Sequence, residues 1–428
     1  MTAIALEGVS KVYDNGLLAV DDVRLKAENG EFLVLLGPSG CGKTTILRMI
    51  AGLEEVTSGE LWLDGECAND LPPWERNVAM VFQDGALYPH LTVRENLAFP
   101  LLVAGAAEKG LVDARVQEIA HGLGIEDTLD RRPALLSGGE RQRVAIGRAL
   151  IRGQPAVLLM DEPLASLDVA LRSTLRAEIG SLIRSLNVTT VYVTHDQVEA
   201  LSLADRVAVL RDGAVEDVGS PARVYQDPAT AFSAAFLGSP PVNLAWATIW
   251  EVNGNGIIVD FGTQQLELPW GDGLSEALTP YHGQPVIVGI RPEALTRSTG
   301  GAHGTLLHGT VSSVDYHGHE WLARLEVGFR PVELDTVRTR SRRWTSQHPT
   351  AKRRLRFVTG KTQAPAVIPK RRGERRGEHR GANLLIRLDS PSGWTVGHEF
   401  HVTVDLPHIY FFDADGIRID TNSSFPRY

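Results

Sequence analysis

GPSGCGKTT, Gly37 to Thr45, is the stretch on which the reading of this chain turns. It fits G-x-x-x-x-G-K-[ST], and it lies between an apolar run, Phe32–Leu36, and a helical pattern, Lys43–Gly52. Strand, glycine-rich turn and helix in that order make a phosphate cradle. Glycines let the backbone close around an anion, while successive N–H groups and the helix N-terminus present positive dipole ends to phosphate oxygens. The candidate contacts are Gly37, Pro38, Ser39, Gly40, Cys41, Gly42, Lys43, Thr44 and Thr45. Lys43 offers a mobile charge to the β- and γ-phosphates of a nucleotide, and Thr44 offers a hydroxyl to Mg2+. Cys41 admits two readings: a thiol acidified by the helix N-terminus, or a small packing residue, which is preferred.

VLLMDEP, Val157 to Pro163, supplies the other half of such a site. Four apolar residues predict a buried strand, and two carboxylates emerge at its end. Asp161 suits the metal shell, and Glu162 suits a base or water-orienting role beside the γ-phosphate.

Outward from these motifs, residues 1 to about 236 alternate apolar runs with helical patterns, as an α/β domain does. Strands are expected at Ile4–Leu6, Thr190–Val193 and Val207–Leu210. The stretch from about 87 to 150 reads as a helical subdomain. GSPPVN, Gly238 to Asn243, has linker chemistry. Beyond it come short alternating runs broken by glycine: Ala247–Val252, Gly256–Phe261, Pro285–Ile290 and Thr305–Val314. They predict a β-rich domain over 237–428, a small barrel or sandwich. GIRPEAL (Gly289 to Leu295) and VDLPHIYFFD (Val404 to Asp413) echo one another weakly, as matching pieces of two tandem barrels would.

The bulk numbers bound the function. The chain has 428 residues, 43% hydrophobic and 22% charged, an ordinary globular composition that implies two or three domains. No apolar run approaches the roughly 18–20 residues needed to span a bilayer, so any membrane role is peripheral. The N-terminus lacks the pattern of a secretion signal. Two cysteines, Cys41 and Cys67, form no disulfide framework and point to a reducing compartment. The net charge of −9 hides an asymmetry: Arg338 to Arg380 carries 15 Lys/Arg against two Glu, leaving a remainder of net −22. An acidic body argues against nucleic acid as a partner. The basic stretch, about 335–381, reads foremost as a solvated, disordered insertion. Its other readings are a local reading-frame disturbance and a contact with anionic lipid or RNA.

LLSGGERQRVAIGRAL, Leu135 to Leu150, resembles the signature of ABC ATPases. The usual family form has Gln where this chain has Glu140; Ser137, Gly138 and Gly139 are intact. A serine hydroxyl and glycine amides at a helix start make a second anion site. The resemblance implies that this second site serves the ATP held by another cassette, so the chain needs a partner. It also implies roles for further residues in order along the chain. Tyr13 would stack on adenine. Gln83, in VFQDGALYPHLTV, would sense Mg2+ and the attacking water. Ser166 to Asp168 would link two active sites, Asp168 among the nucleotide contacts. His195, in YVTHDQVEA, would hold the γ-phosphate and orient Glu162.

Within that superfamily the chain is similar to ATPase subunits of carbohydrate importers of the maltose and glycerol-phosphate type. ALYPHLTVRENLAFPL (Ala86 to Leu101), FLGSPPVNL (Phe236 to Leu244) and the RPEAL and VDLPHIYFFDADG segments carry this likeness, which spans nearly all of the chain outside about 329–383. The fold implied is a P-loop NTPase cassette of the α/β class followed by tandem oligomer-binding-type barrels. The partners implied are a second cassette, two transmembrane permease subunits and, indirectly, an extracytoplasmic solute-binding protein, with the chain at the cytoplasmic face of the membrane. The alternatives are an importer of polyamine, iron or an anion, and a soluble ABC protein acting on ribosomes or DNA. The absence of a second cassette and of a heptad run disfavours the last.

Overall fold

The computed structural model describes residues 2–83, 85–103, 109–153, 155–165, 169–252, 256–269, 274–298, 306–318, 320–337 and 382–420. Ser166–Asp168 and the basic stretch Arg338–Arg380 lie outside the described residues. The chain divides into two units, Met1–Pro221 and Ala222–Tyr428.

Among the described residues the first unit holds ten strands. They are β1 (Thr2–Val12), β2 (Leu18–Glu28), β3 (Phe32–Leu36), β4 (Ser58–Leu63), β5 (Glu66–Cys67), β6 (Val78–Val81), β7 (Val157–Asp161), β8 (Thr189–Thr194), β9 (Arg206–Arg211) and β10 (Ala214–Gly219). One sheet has the order β2-β1-β4-β5; the other runs β10-β9-β3-β8-β7-β6. In the second sheet β6, β7, β8, β3 and β9 are parallel neighbours. Every residue of β3, β7 and β8 is buried, which is why β3 and most of β7 read as continuous apolar runs and β8 as a β-branched one rather than an alternation with charges. Helix α1 (Lys43–Ala51) follows β3, and its Ile46, Leu47, Met49 and Ile50 share one core with side chains of both sheets. The antiparallel sheet was scarcely legible beforehand, because β2 alternates buried and exposed residues and carries charges along its outer face.

Between β6 and β7 lie α2 (Val93–Val103), α3 (Lys109–Leu123) and α4 (Gly138–Leu150). After β7 come α5 (Val169–Leu186), then α6 (Gln197–Leu203) between β8 and β9, and α7 (Pro221–Gln226) and α8 (Ala231–Phe236). Among the described residues no helix is long and apolar enough to cross a membrane.

The second unit is β-rich, as expected. Its strands are β11 (Asn243–Glu251), β12 (Gly256–Asp260), β13 (Gln265–Pro269), β14 (Pro285–Ile290), β15 (Leu295–Arg297), β16 (Leu306–Tyr316), β17 (Trp321–Pro331), β18 (Ala382–Leu388), β19 (Glu399–Val404) and β20 (Ile409–Phe412), with α9 (Leu274–Leu278) after β13. The two echoing segments each form strand, 3-10 turn, strand, and they embrace reciprocally. The strand before the first turn pairs with the strand after the second, Ile287↔Phe412 in β14·β20. The strand after the first pairs with the strand before the second, Leu295↔Val404 in β15·β19. The repeat is therefore a pseudo-two-fold relation within one hydrogen-bonded network.

Candidate functional site

The parallel register assembles the site. Leu36 of β3 is level with Thr194 of β8, Val193 of β8 with Asp161 of β7, and Met160 of β7 with Val81 of β6. Each strand is followed at the same edge by a residue singled out above: Gly37, His195, Glu162 and Gln83. Ligands of open parallel sheets bind beyond the carboxyl ends of the strands, and the candidates converge there.

At the phosphate loop two glycines are obligatory. A Cβ on Gly37 would lie 2.4 Å from the carbonyl oxygen of Leu210 and 2.7 Å from Cys41 Sγ. Gly42 has φ +101°, and a Cβ there would lie 2.5 Å from the Ala19 carbonyl oxygen. Lys43 is buried, and its ammonium donates to the carbonyls of Gly37 (2.8 Å) and Pro38 (2.9 Å) across the loop. Thr44 Oγ1 donates to Asp161 Oδ1 at 2.9 Å. A hydroxyl and a carboxylate side by side form the hard-oxygen donor set that Mg2+ takes. Burial pushes the Asp161 carboxyl up, the Thr44 hydrogen bond draws it back, and Glu162 adds a further push upward. Cys41 is 3% exposed. Burial raises its thiol pKa, while Lys43 pulls the other way. Burial therefore favours Cys41 as a packing residue over a thiolate acidified by the helix.

Glu162 follows β7 with φ +43°, a left-handed backbone that costs about 1–3 kcal/mol for a residue with a side chain. Its N–H donates to Val193 O at 3.0 Å, which fixes the turn to β8. Its carboxylate Oε2 lies 3.0 Å from His195 Nδ1. An ionised carboxylate only accepts, so this bond requires the proton on Nδ1 and leaves Nε2 as the ring's other functional nitrogen. His195 is half exposed, Glu162 much less so.

Beneath His195 lies a group that the sequence reading missed. Glu199 of α6 is buried, and its Oε2 accepts from Tyr192 Oη (2.9 Å) and Thr194 Oγ1 (2.8 Å). Burial raises its pKa, and the hydrogen bonds from Thr194 and Tyr192 counteract that. Thr194 Oγ1 also accepts from Asp196 N–H, and Asp196 caps α6 through Val198 and Glu199 N–H. This network holds the β8–α6 turn that presents His195. The hint in the sequence was Tyr and Thr alternating inside an apolar strand, TTVYVT, with a Glu one helical turn on.

Tyr13 places its hydroxyl 3.4 Å from Thr45 Oγ1, and its ring lies under Lys11 Nζ at 5.2 Å. Gln83 is exposed, in a turn closed by the Gly85 N–H on Phe82 O at 2.9 Å. Ser137, Gly138 and Gly139 form a second helix start, on α4. The Ser137 hydroxyl accepts from Glu140 N–H (3.2 Å), and the Glu140 carboxylate accepts from Ser137 N–H (2.7 Å). This is a capping box, and S-x-x-E spelled it in the sequence. Glu140, first noted only as a departure from the usual Gln, is therefore the reciprocal cap. The hydrogen bonds from Ser137 hold its carboxyl below the usual range.

The ABC transporter family matches residues 20–165, and the MalK OB fold domain matches residues 238–295. The sn-glycerol-3-phosphate import ATP-binding protein UgpC 1 of Rhizobium johnstonii is 48% identical over 306 residues, 72% of this chain and 80% of that protein. The trehalose/maltose import ATP-binding protein MalK of Thermococcus litoralis is 45% identical over 338 residues, 77% of this chain and 89% of the relative. A UgpC from Burkholderia thailandensis is 46% identical over 348 residues, 79% and 94% of the two chains. The phosphate loop, the acidic strand end and the OB-type tail thus belong to one known design, and the chain belongs to the ABC transporter family as an ATP-binding ATPase subunit of the import type that carries a MalK OB fold domain.

Proposed function

We propose that this chain powers uptake of a carbohydrate or sugar-phosphate solute by hydrolysing ATP at the edge where β3, β6, β7 and β8 end. Residues 1–236 are the cassette, with a helical subdomain at about 87–150, and 237–428 are a regulatory domain interrupted by the basic stretch. The solute class rests on relatives named for glycerol-3-phosphate, trehalose and maltose import. Two cassettes, identical or paralogous, close head to tail on two ATP and pull on two membrane-spanning subunits, which in turn receive solute from an external binding protein. The chain works at the inner membrane face.

The roles rest on the resemblance to ABC ATPases, with the contacts described above in support. Lys43 and the amides of Gly40, Gly42, Thr44 and Thr45 neutralise phosphate charge as it develops. Tyr13 offers a ring face to the base. Ser137–Gly139 meet the γ-phosphate of the partner's ATP, and Asp168 joins the two sites. Thr44, Asp161 and Gln83 would hold Mg2+, which when bound neutralises charge on the β- and γ-phosphate oxygens. Glu162 takes or orients the proton of the attacking water, and His195 keeps that carboxylate aimed and faces the γ-phosphate. The contact of Glu162 with His195 at 3.0 Å carries this reading.

The test is Glu162→Gln. It keeps shape and removes basicity, so ATP binding should persist while turnover falls about 10²–10⁴-fold. Near-normal hydrolysis would remove Glu162 from the role of base.

A further inference from the structure

Gln83 sits on a very short joint. Up to Val81 the chain is held in the sheet, in register with β7. From Gly85 onward it is fastened to helices instead. The fully buried Asn96 of α2 donates to the carbonyls of Tyr88, Leu91 and Thr92 and accepts from Tyr88 N–H. From the other side Arg148, in the last turn of α4, donates Nη2 to Gly85 O at 3.0 Å and Nη1 to Ala86 O at 2.5 Å. Its guanidinium also lies over the Tyr88 ring, 5.5 Å from the centroid, and Tyr88 packs on Phe99 of α2 at 4.6 Å. Burial lowers the pKa of Arg148, so the group is partly stripped of water to make these contacts. A planar fork reaching two successive carbonyls is geometry that Arg makes and Lys cannot copy.

The same helix begins at Ser137. Its two ends therefore carry the candidate site for a partner's nucleotide and the clamp on the Gln83 turn. Gly85 supplies the left-handed backbone of the turn, φ +66°, beside Ala145 of this helix, where an added Cβ would make ordinary contact at 3.5 Å.

We infer that Arg148 is a positioning residue for hydrolysis: through its two carbonyl bonds it ties the Gln83 turn to α4, so that movement of α4 relative to the sheet is delivered to Gln83. This inference rests on the role proposed for Gln83. Arg148 touches no nucleotide atom; its effect is exerted through the turn.

A double-mutant cycle on the full-length chain tests it, with ATPase turnover and equilibrium ATP binding measured in parallel. Arg148→Gln should lower kcat about tenfold, equivalent to about 1.4 kcal/mol, with ATP affinity within about twofold of wild type by the same arithmetic. Arg148→Lys keeps the charge but not the fork, guards against a folding failure, and should recover only part of the loss. In a Gln83→Ala background, Arg148→Gln should lower turnover no further, because residues acting as one unit are non-additive. A full additional loss in that background would overturn the inference while leaving Gln83 in place. Wild-type turnover in Gln83→Ala alone would remove the Gln83 role, and this inference with it.

Discussion

Helices α1 and α4 both open on glycine-rich turns, and they open in opposite ways. The N-cap of α1 is Gly42, left-handed, with no side chain closing the first turn. The N-cap of α4 is Ser137, closed on both sides by Glu140. The first four N–H groups of any helix lack internal partners. On α1 no side-chain cap competes for them, which suits a tight anion site. On α4 two of the polar groups are already satisfied, and a carboxylate stands where an anion would approach. One start is left open, as the proposed phosphate site needs; the other is a closed cap that the proposed nucleotide of a second cassette would have to share.

Substitutions can break or sharpen this contrast. The largest effect is expected from Gly42→Val. The backbone strain alone is worth about 1–3 kcal/mol, and nucleotide affinity should fall at least about tenfold. Urea unfolding and nucleotide titration measure both, and an unchanged affinity would show that the open geometry of α1 is dispensable. Next comes the thiol in that loop. Cys41 is buried and raised, whereas Cys67 is exposed. Iodoacetamide labelling followed by mass spectrometry should modify Cys41 roughly tenfold or more slowly than Cys67. Equal rates would mean that the loop opens far more than its packing implies. Ser137→Ala should cost about 1 kcal/mol of stability, while Ser137→Gly should cost only a few tenths. If both leave the melting curve unmoved, the capping box contributes nothing. The smallest effect belongs to Glu140→Gln. Gln still completes the box, yet the helix loses a favourable end charge worth about 0.3–1 kcal/mol. Stability should dip slightly while affinity for ATP rises, most clearly at low salt. Two changes of the same sign would defeat the idea of a shared site.

Much of the fold was legible because its deciding strands are buried on both faces. Phe32–Leu36 and Val157–Met160 read as apolar runs and Thr190–Val193 as a β-branched one, and the motifs sit at their ends. Spacing alone could not say that Thr44 meets Asp161, or Glu162 meets His195, since 117 and 33 residues separate the partners. The parallel register brings them together. Glu199 and Arg148 escaped notice for a different reason. They act through buried hydrogen bonds to hydroxyls and to backbone carbonyls, and a sequence displays side chains but not the carbonyls they will reach. The capping box was legible in the letters S-G-G-E and was passed over because the motif was read for nucleotide, not for helix.

The β17·β18 ladder has a consequence in chain entropy. Its strands are antiparallel neighbours, paired from Trp321↔Leu388 to Phe329↔Ala382, yet residues 332–381 run between them. For any connection with no fixed structure the closure cost grows only with the logarithm of length, so about fifty residues rather than five would add at most about 2 kcal/mol. The strands beyond, β18, β19 and β20, close on β17, on β15 and β16, and on β14. The domain thus recruits its final strands from the far side of the basic stretch. A backbone cut within that stretch would sever none of these ladders.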